Sequence, residues 1–139
     1  MVHLIVGTKG KGKTRYLIDD ANNRIKSAKG DIVYLDQSLR HIHELSSRIR
    51  LVNVKDFDIS NKDEIVGFIN GIISQNWDIE MIYMDGLIKL DAVSDDDISY
   101  IVHKLSKMCQ DHGTELTLGL SCEASDLDDD LQPMIQTVL

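Results

Sequence analysis

Residues 7 to 14 read GTKGKGKT, with glycines at 7, 10 and 12 and a Lys-Thr pair at 13 and 14. These types at this spacing suit one task, wrapping a chain of phosphates. Backbone N–H groups must turn inward around the anion with no Cβ in the way, and Gly7, Gly10 and Gly12 permit that. Lys13 brings a compact positive charge to the terminal phosphate oxygens. The Thr14 hydroxyl is a hard oxygen ligand for Mg²⁺. The full pattern is Gly7-x-x-x-x-Gly12-Lys13-Thr14. Lys9 and Lys11 are not required by it; they are solvated loop residues or add positive potential over the phosphates.

A phosphate loop needs a carboxylate opposite it to hold the cation. The segment MIYMD supplies four apolar residues and then Asp85, the expected partner of Thr14 in holding Mg²⁺. A carboxylate or amide that orients an attacking water is expected in Asp36 with Gln37, although both residues also fit a plain lead into a helix capped by Ser38. Ser121 reads as a turn hydroxyl, with sensing of the terminal phosphate as the alternative. The expected catalytic residues are therefore Lys13 and Asp36. The expected nucleotide-binding stretch is Gly7, Thr8, Lys9, Gly10, Lys11, Gly12, Lys13, Thr14 and Arg15, and the expected metal ligands are Thr14 and Asp85.

The elements that must carry these residues follow from periodicity. Compact apolar runs predict strands at 2–6, 31–36, 49–54, 79–85 and 115–120. Between them lie helical periods. Lys13 to Lys29 repeats Leu17, Ala21, Ile25 and Ala28, with Gly30 as its C-cap. A short helix capped by Ser38 carries Leu39, Ile42 and Leu45. A helix opened by Ser60 and Asp63 carries Ile65, Phe68, Ile69, Ile72 and Ile73. Another, opened by Ser94 and Asp97, carries Ile98, Ile101, Val102, Leu105 and Cys109 and stops at Gly113. A short helix is expected over 126–132, limited by Pro133. The last six residues, MIQTVL, fit a sixth strand or a helical turn. Alternation of strand and helix predicts an α/β fold, a three-layer α/β/α sandwich on a mainly parallel sheet of five or six strands. Ligands in such folds bind beyond the carboxyl ends of the strands, where Gly7 to Thr14, Asp36, Asp85 and Ser121 all fall.

The loop at 7–14 and the strand end at 81–85 resemble the Walker A and Walker B elements of the P-loop NTPase superfamily. The resemblance implies a RecA-like nucleotide-binding core, with ATP and Mg²⁺ as cofactors. The N-terminal loop, the VYLD strand end and the IYMDGL strand are also similar to short bacterial proteins labelled twitching-motility ATPase-like. Other branches fit less well. A GTPase D-x-x-G fails, because Gly86, Leu87 and Ile88 follow Asp85. NKDE at 61–64 precedes that strand and ends in Glu64, so ATP is preferred over GTP. The lysine that partition ATPases carry directly after the first loop glycine is Thr8 here. The five arginines, Arg15, Arg24, Arg40, Arg48 and Arg50, all lie in the first fifty residues, so the late arginine lid of a small-molecule kinase is not expected. The catalytic glutamate that many RecA-like ATPases place beside the Walker B Asp is Gly86.

The expected activity is slow Mg²⁺-dependent ATP hydrolysis. The alternatives are a nucleotide-responsive binding module without significant turnover and a small-molecule kinase. Partners are the nucleotide and either a homo-oligomer or another protein, with Arg40, Arg48 or Arg50 offered in trans. At 139 residues, one domain spanning 1–139 is expected. A net charge of −8, with acids gathered in DAVSDDD (91–97) and DLDDD (126–130), argues against a broad nucleic-acid-binding face. Both acid runs fit helix N-terminal turns. No apolar run approaches the ~20 residues of a membrane span. MVHLIVG lacks a charged lead and reads as a strand, not a signal peptide. Cys109 and Cys122 have neither disulfide nor zinc spacing, which fits reduced thiols in a cytoplasmic protein. His41 and His43, two apart, do not share a helix face and read as solvated or partly buried side chains.

Overall fold

A computed structural model describes residues 1–86 and 93–139. Its six strands are β1 (Val2–Val6), β2 (Asp31–Asp36), β3 (Arg50–Asn53), β4 (Ile79–Asp85), β5 (Glu115–Leu120) and β6 (Ile135–Val138). They form one sheet in the order β3-β2-β4-β5-β1-β6, and every neighbouring pair is parallel. Parallel strands are covered on both faces, and the strands carry the apolar runs that such burial demands. The helices are α1 (Lys13–Arg24), α2 (Lys62–Ser74) and α3 (Ile98–His112). The fold is thus an α/β sandwich on a six-stranded parallel sheet. No helix among the described residues is long and apolar enough to cross a membrane.

Strand side chains alternate between the two faces. One face gathers Ile5, Ile32, Tyr34, Met81 and Tyr83 beneath Leu17, Ile18 and Ala21 of α1, with Leu45 and Ile49 completing the cover. The other gathers Leu4, Val33, Leu35, Ile82, Met84, Leu116 and Leu118 beneath α2 and α3. The same period assigns Asp36 and Asp85 to the α1 face, because they follow Tyr34 and Tyr83 by two residues. Tyr34 and Tyr83 are register partners on β2 and β4, so the two aspartates end neighbouring strands on one face.

Several local expectations are corrected. Helix α1 stops at Arg24, not Lys29, and Ile25 to Ser27 form turns. Gly30 is not its C-cap; a Cβ there would stand 2.2 Å from the Asp78 carbonyl oxygen, so Gly30 permits a close backbone crossing at the start of β2. The segment after Ser38 is a run of turns. Leu39 and Ile42 stay exposed and Leu45 alone is buried. Asn22 of α1 captures that backbone, donating to the Glu44 carbonyl at 2.8 Å and accepting from the Ser46 N–H at 2.8 Å. The cap of α2 lies one residue later than expected. Asn61 Oδ1 accepts the Glu64 N–H at 2.9 Å, and the Glu64 carboxylate accepts the Ser60 N–H at 3.1 Å.

Ser94 and Asp97 do form the expected pair, with the Ser94 hydroxyl 3.1 Å from the Asp97 carboxylate. Their 3₁₀ turn, Asp95–Asp97, leads into α3, and Gly113 closes that helix in the left-handed region at φ 68°. Asp91 and Ala92 of the first acid run, like Leu87 and Ile88, lie outside the described residues. The second acid run forms two 3₁₀ turns, Ala124–Asp126 and Asp129–Met134, with Pro133 inside the latter. The last residues resolve as strand β6, paired to β1.

Candidate functional site

The loop 7–14 joins β1 to α1. Gly10 and Gly12 adopt φ values of 88° and 94°, which side-chain-bearing residues rarely enter. The turn is held by the Lys11 N–H on the Thr8 carbonyl at 3.2 Å, and its start by the Gly7 N–H on the Leu120 carbonyl at 3.3 Å. A Cβ on Gly7 would press against Leu139 at 3.2 Å, so the loop enters closely beside the end of β6. Gly12 is the N-cap residue of α1, and no side chain caps the helix there. No acid occupies its first turn either. The start of α1 therefore presents backbone donors and a positive dipole end without the carboxylates that α2 carries in its first turn.

Lys13 is buried, 5% exposed, and its ammonium donates to the Thr8 carbonyl at 3.4 Å. The Thr14 hydroxyl donates to Asp85 Oδ2. Gly10, Gly12, Lys13, Thr14 and Lys9 line an open depression of about 310 Å³. Lys9, Gly10, Lys11 and Gly12 are exposed and Thr8 is half-buried. Arg15 turns outward, donating to Asp19 at 3.3 Å and to Glu44. Glu44 also accepts from the His41 ring.

Beside the loop, a small pocket of about 80 Å³ is lined by Thr14, Asp36, Gln37, Ser38, Arg40, His41, Asp85 and Gly86. The fold thus brings Asp36, Asp85 and Thr14 together. Asp36 Oδ1 accepts the Gln37 N–H at 2.7 Å. The Gln37 side-chain amide donates to the Gly86 carbonyl at 2.8 Å and ties the ends of β2 and β4 together. Burial holds the Asp36 carboxyl above the ordinary Asp range; the bond from Gln37 works against that shift, and the nearby Asp85 charge adds to it. Arg40 stands at the rim of this pocket within the same chain. Arg48 and Arg50 are exposed elsewhere. The Ser121 hydroxyl, at the end of β5, is buried with no partner among the described residues.

Two contributors went unnoticed in the sequence. Gly119 on β5 is the register partner of Asp85. A Cβ there would lie 2.9 Å from Leu17 Cδ1 and 3.2 Å from Asp85 Oδ1, so the missing side chain lets α1 and the carboxylate settle against β5. A glycine inside the strand ELTLGL is the signal for such a close approach. Tyr34 is the other. It is fully buried, stacked on Tyr83 with ring centroids 6.0 Å apart, and its hydroxyl has no partner among the described residues. Burial and the charges of Asp85 and Asp36 push its ionisation far upward, so it stays a neutral phenol. Period two in DIVYLD places it on the same face as Asp36.

Asp36, Asp85 and Thr14 bring two carboxylates and a hydroxyl to this pocket, all oxygen donors. Among the described residues no three His, Cys, Asp or Glu side chains cluster as a metal-binding group. Oxygen donors in so small a number suit Mg²⁺, which takes one or two carboxylates and keeps waters or phosphate oxygens in its remaining positions. Cys109 is buried, Cys122 half-buried, and both are free thiols. No family model matches the chain, and no curated protein matches it.

Proposed function

We propose that this chain is an ATP-binding P-loop protein that hydrolyses ATP slowly with Mg²⁺. The observation that carries the reading is the junction at the start of α1. An uncapped helix end opens with a buried lysine, and the next residue is hydrogen-bonded to a carboxylate at the end of β4. Gly10 and Gly12 give the loop its turn, and Lys13 balances charge on the β- and γ-phosphate oxygens. Thr14 and Asp85 are the residues that would hold Mg²⁺, and the unpartnered Asp85 Oδ1 fits that task. The cation supplies neutralisation of charge developing on the phosphate oxygens. Asp36, with one oxygen bonded to Gln37 and the other unpartnered, orients the attacking water. Arg40 at the pocket rim contributes positive charge in cis; an arginine delivered by a second copy remains the alternative.

One observation favours a second reading, a nucleotide-responsive binding module. Gly86 follows Asp85, so the next position along the chain carries no carboxylate to serve as a strong base. Steady-state ATPase assays on wild type, Lys13→Ala and Asp36→Ala separate the two. The enzyme reading expects turnover well above the Lys13→Ala control and reduced in Asp36→Ala. Wild-type turnover equal to that control leaves only the module.

A further inference from the structure

Asp36 and Asp85 line one small pocket and are each more than nine-tenths buried, at 8% and 5% exposure. Each makes one bond on one oxygen, Asp36 Oδ1 with the Gln37 N–H and Asp85 Oδ2 with the Thr14 hydroxyl. Asp36 Oδ2 and Asp85 Oδ1 are buried without a partner among the described residues. Tyr34, on the same sheet face and two residues before Asp36, adds a third buried polar atom with none. Its neighbour Tyr83 is different, since that hydroxyl donates to Asp20 at 2.5 Å. Among the described residues, Arg40, which is exposed, and His41, whose ring pairs with Glu44, line the same pocket. Lys13 lies on the loop side and donates to the Thr8 carbonyl.

Two carboxylates withdrawn from water on adjacent strand ends repel each other and lose hydration, and a cation bound between them offsets both costs. A phenol on the same sheet face, with no partner among the described residues, is a hydrogen-bond donor for a carboxylate oxygen within its reach. The donors are all hard oxygens, which select Mg²⁺ or Mn²⁺ over softer ions. We infer that Asp36 and Asp85 jointly hold a hard divalent cation before any nucleotide arrives, with the Tyr34 hydroxyl supporting one of the two carboxylates from below. The inference rests on the proposed role of Asp85 and extends that of Asp36, whose free oxygen would face the cation before nucleotide arrives and the attacking water afterwards. It also gives the cation a structural part, since the Gln37 bond to Gly86 already joins these two strand ends.

The test is Mn²⁺ binding to the nucleotide-free full chain at neutral pH, read from the electron paramagnetic resonance signal of free Mn²⁺. One site per chain is expected in wild type. Asp36→Asn and Asp85→Asn are each expected to weaken binding about tenfold or more, and Tyr34→Phe by a smaller factor. Asn replaces Asp with nearly the same shape, and circular dichroism of each variant confirms that the fold is retained. No Mn²⁺ binding by nucleotide-free wild type overturns the inference, as does wild-type affinity in Asp36→Asn. ATP binding is measured on the same samples by calorimetry. ATP binding without nucleotide-free Mn²⁺ binding sinks this inference and leaves the nucleotide reading standing. Mn²⁺ binding without ATP binding does the reverse.

Discussion

The hydroxyl of Thr14 donates to the carboxylate of Asp85 across 71 positions of sequence. One residue begins the helix that follows β1; the other ends β4. The two strands are not neighbours, because β5 lies between them. The bond therefore spans a strand position and fixes the start of α1 over the sheet edge where the carboxylates converge. In the proposed ATP complex these two residues would both hold the cation, Asp85 through its other oxygen.

Thr14→Val removes the hydroxyl and keeps the shape. A buried acceptor that loses its donor costs about 1–3 kcal/mol, so urea denaturation is expected to register a loss in that range. The Mg²⁺-dependent part of ATP binding is expected to vanish in Thr14→Val and to survive in Thr14→Ser. Equal Mg²⁺ dependence in Val and Ser variants would separate this hydroxyl from the cation.

Gly119→Ala forces a Cβ against Leu17 Cδ1 at 2.9 Å and Asp85 Oδ1 at 3.2 Å. Overpacking of this kind costs about 1–3 kcal/mol. Leu17 is fully buried, so α1 must shift or Leu17 must leave its rotamer. The expected outcome is a lower denaturation midpoint together with weaker Mg²⁺-ATP binding. Leu17→Ala in the same background opens space for the new methyl group and should restore part of the binding. Unchanged stability and binding in Gly119→Ala would mean that β5 gives way without cost.

Asp36 carries a pH signature. Its carboxyl titrates above the ordinary Asp range because it is buried, with the Asp85 charge adding to the shift. The native state thus binds this proton more tightly than the unfolded chain. Stability from this group falls as pH rises from the ordinary value, about 3.9, through the raised native value, and is level above it. Asp36→Asn removes that loss and keeps the acceptor for the Gln37 N–H. The variant is expected to melt higher than wild type at pH 7 in chelator-treated buffer, with the gap closing as pH falls below the ordinary value. A gap independent of pH would assign the difference to packing rather than to charge.

Most of the scaffold was legible in the residues. Strands β1, β2, β4 and β5 coincide with their apolar runs, because such compact runs between glycine and helix-cap signals leave no other way to bury both faces. The turn of the loop between β1 and α1 and the place of Asp85 at the end of β4 were legible too, from glycine spacing and from the apolar run that Asp85 ends. The Ser38 segment was not. Its period of three mimics a helix, yet Asn22 captures its backbone from α1, a contact that no local pattern announces. Strand order was hidden too. The insertion of β5 between β1 and β4 makes Gly119 a neighbour of Asp85, and that follows from long-range pairing alone. Tyr34 was within reach, because alternation on β2 already placed it under Asp36.

The central claim is that loop 7–14 binds ATP, and calorimetric titration of ATP and GTP, with and without Mg²⁺, tests it most directly on wild type and Lys13→Ala. Wild type is expected to bind ATP in preference to GTP, and more tightly with Mg²⁺. Lys13→Ala is expected to bind about 10- to 100-fold more weakly, matching the ~1.5–3 kcal/mol of a lost hydrogen bond to a charged group. Absence of any nucleotide binding by folded wild-type protein, or equal affinity in the Lys13→Ala variant, would contradict it.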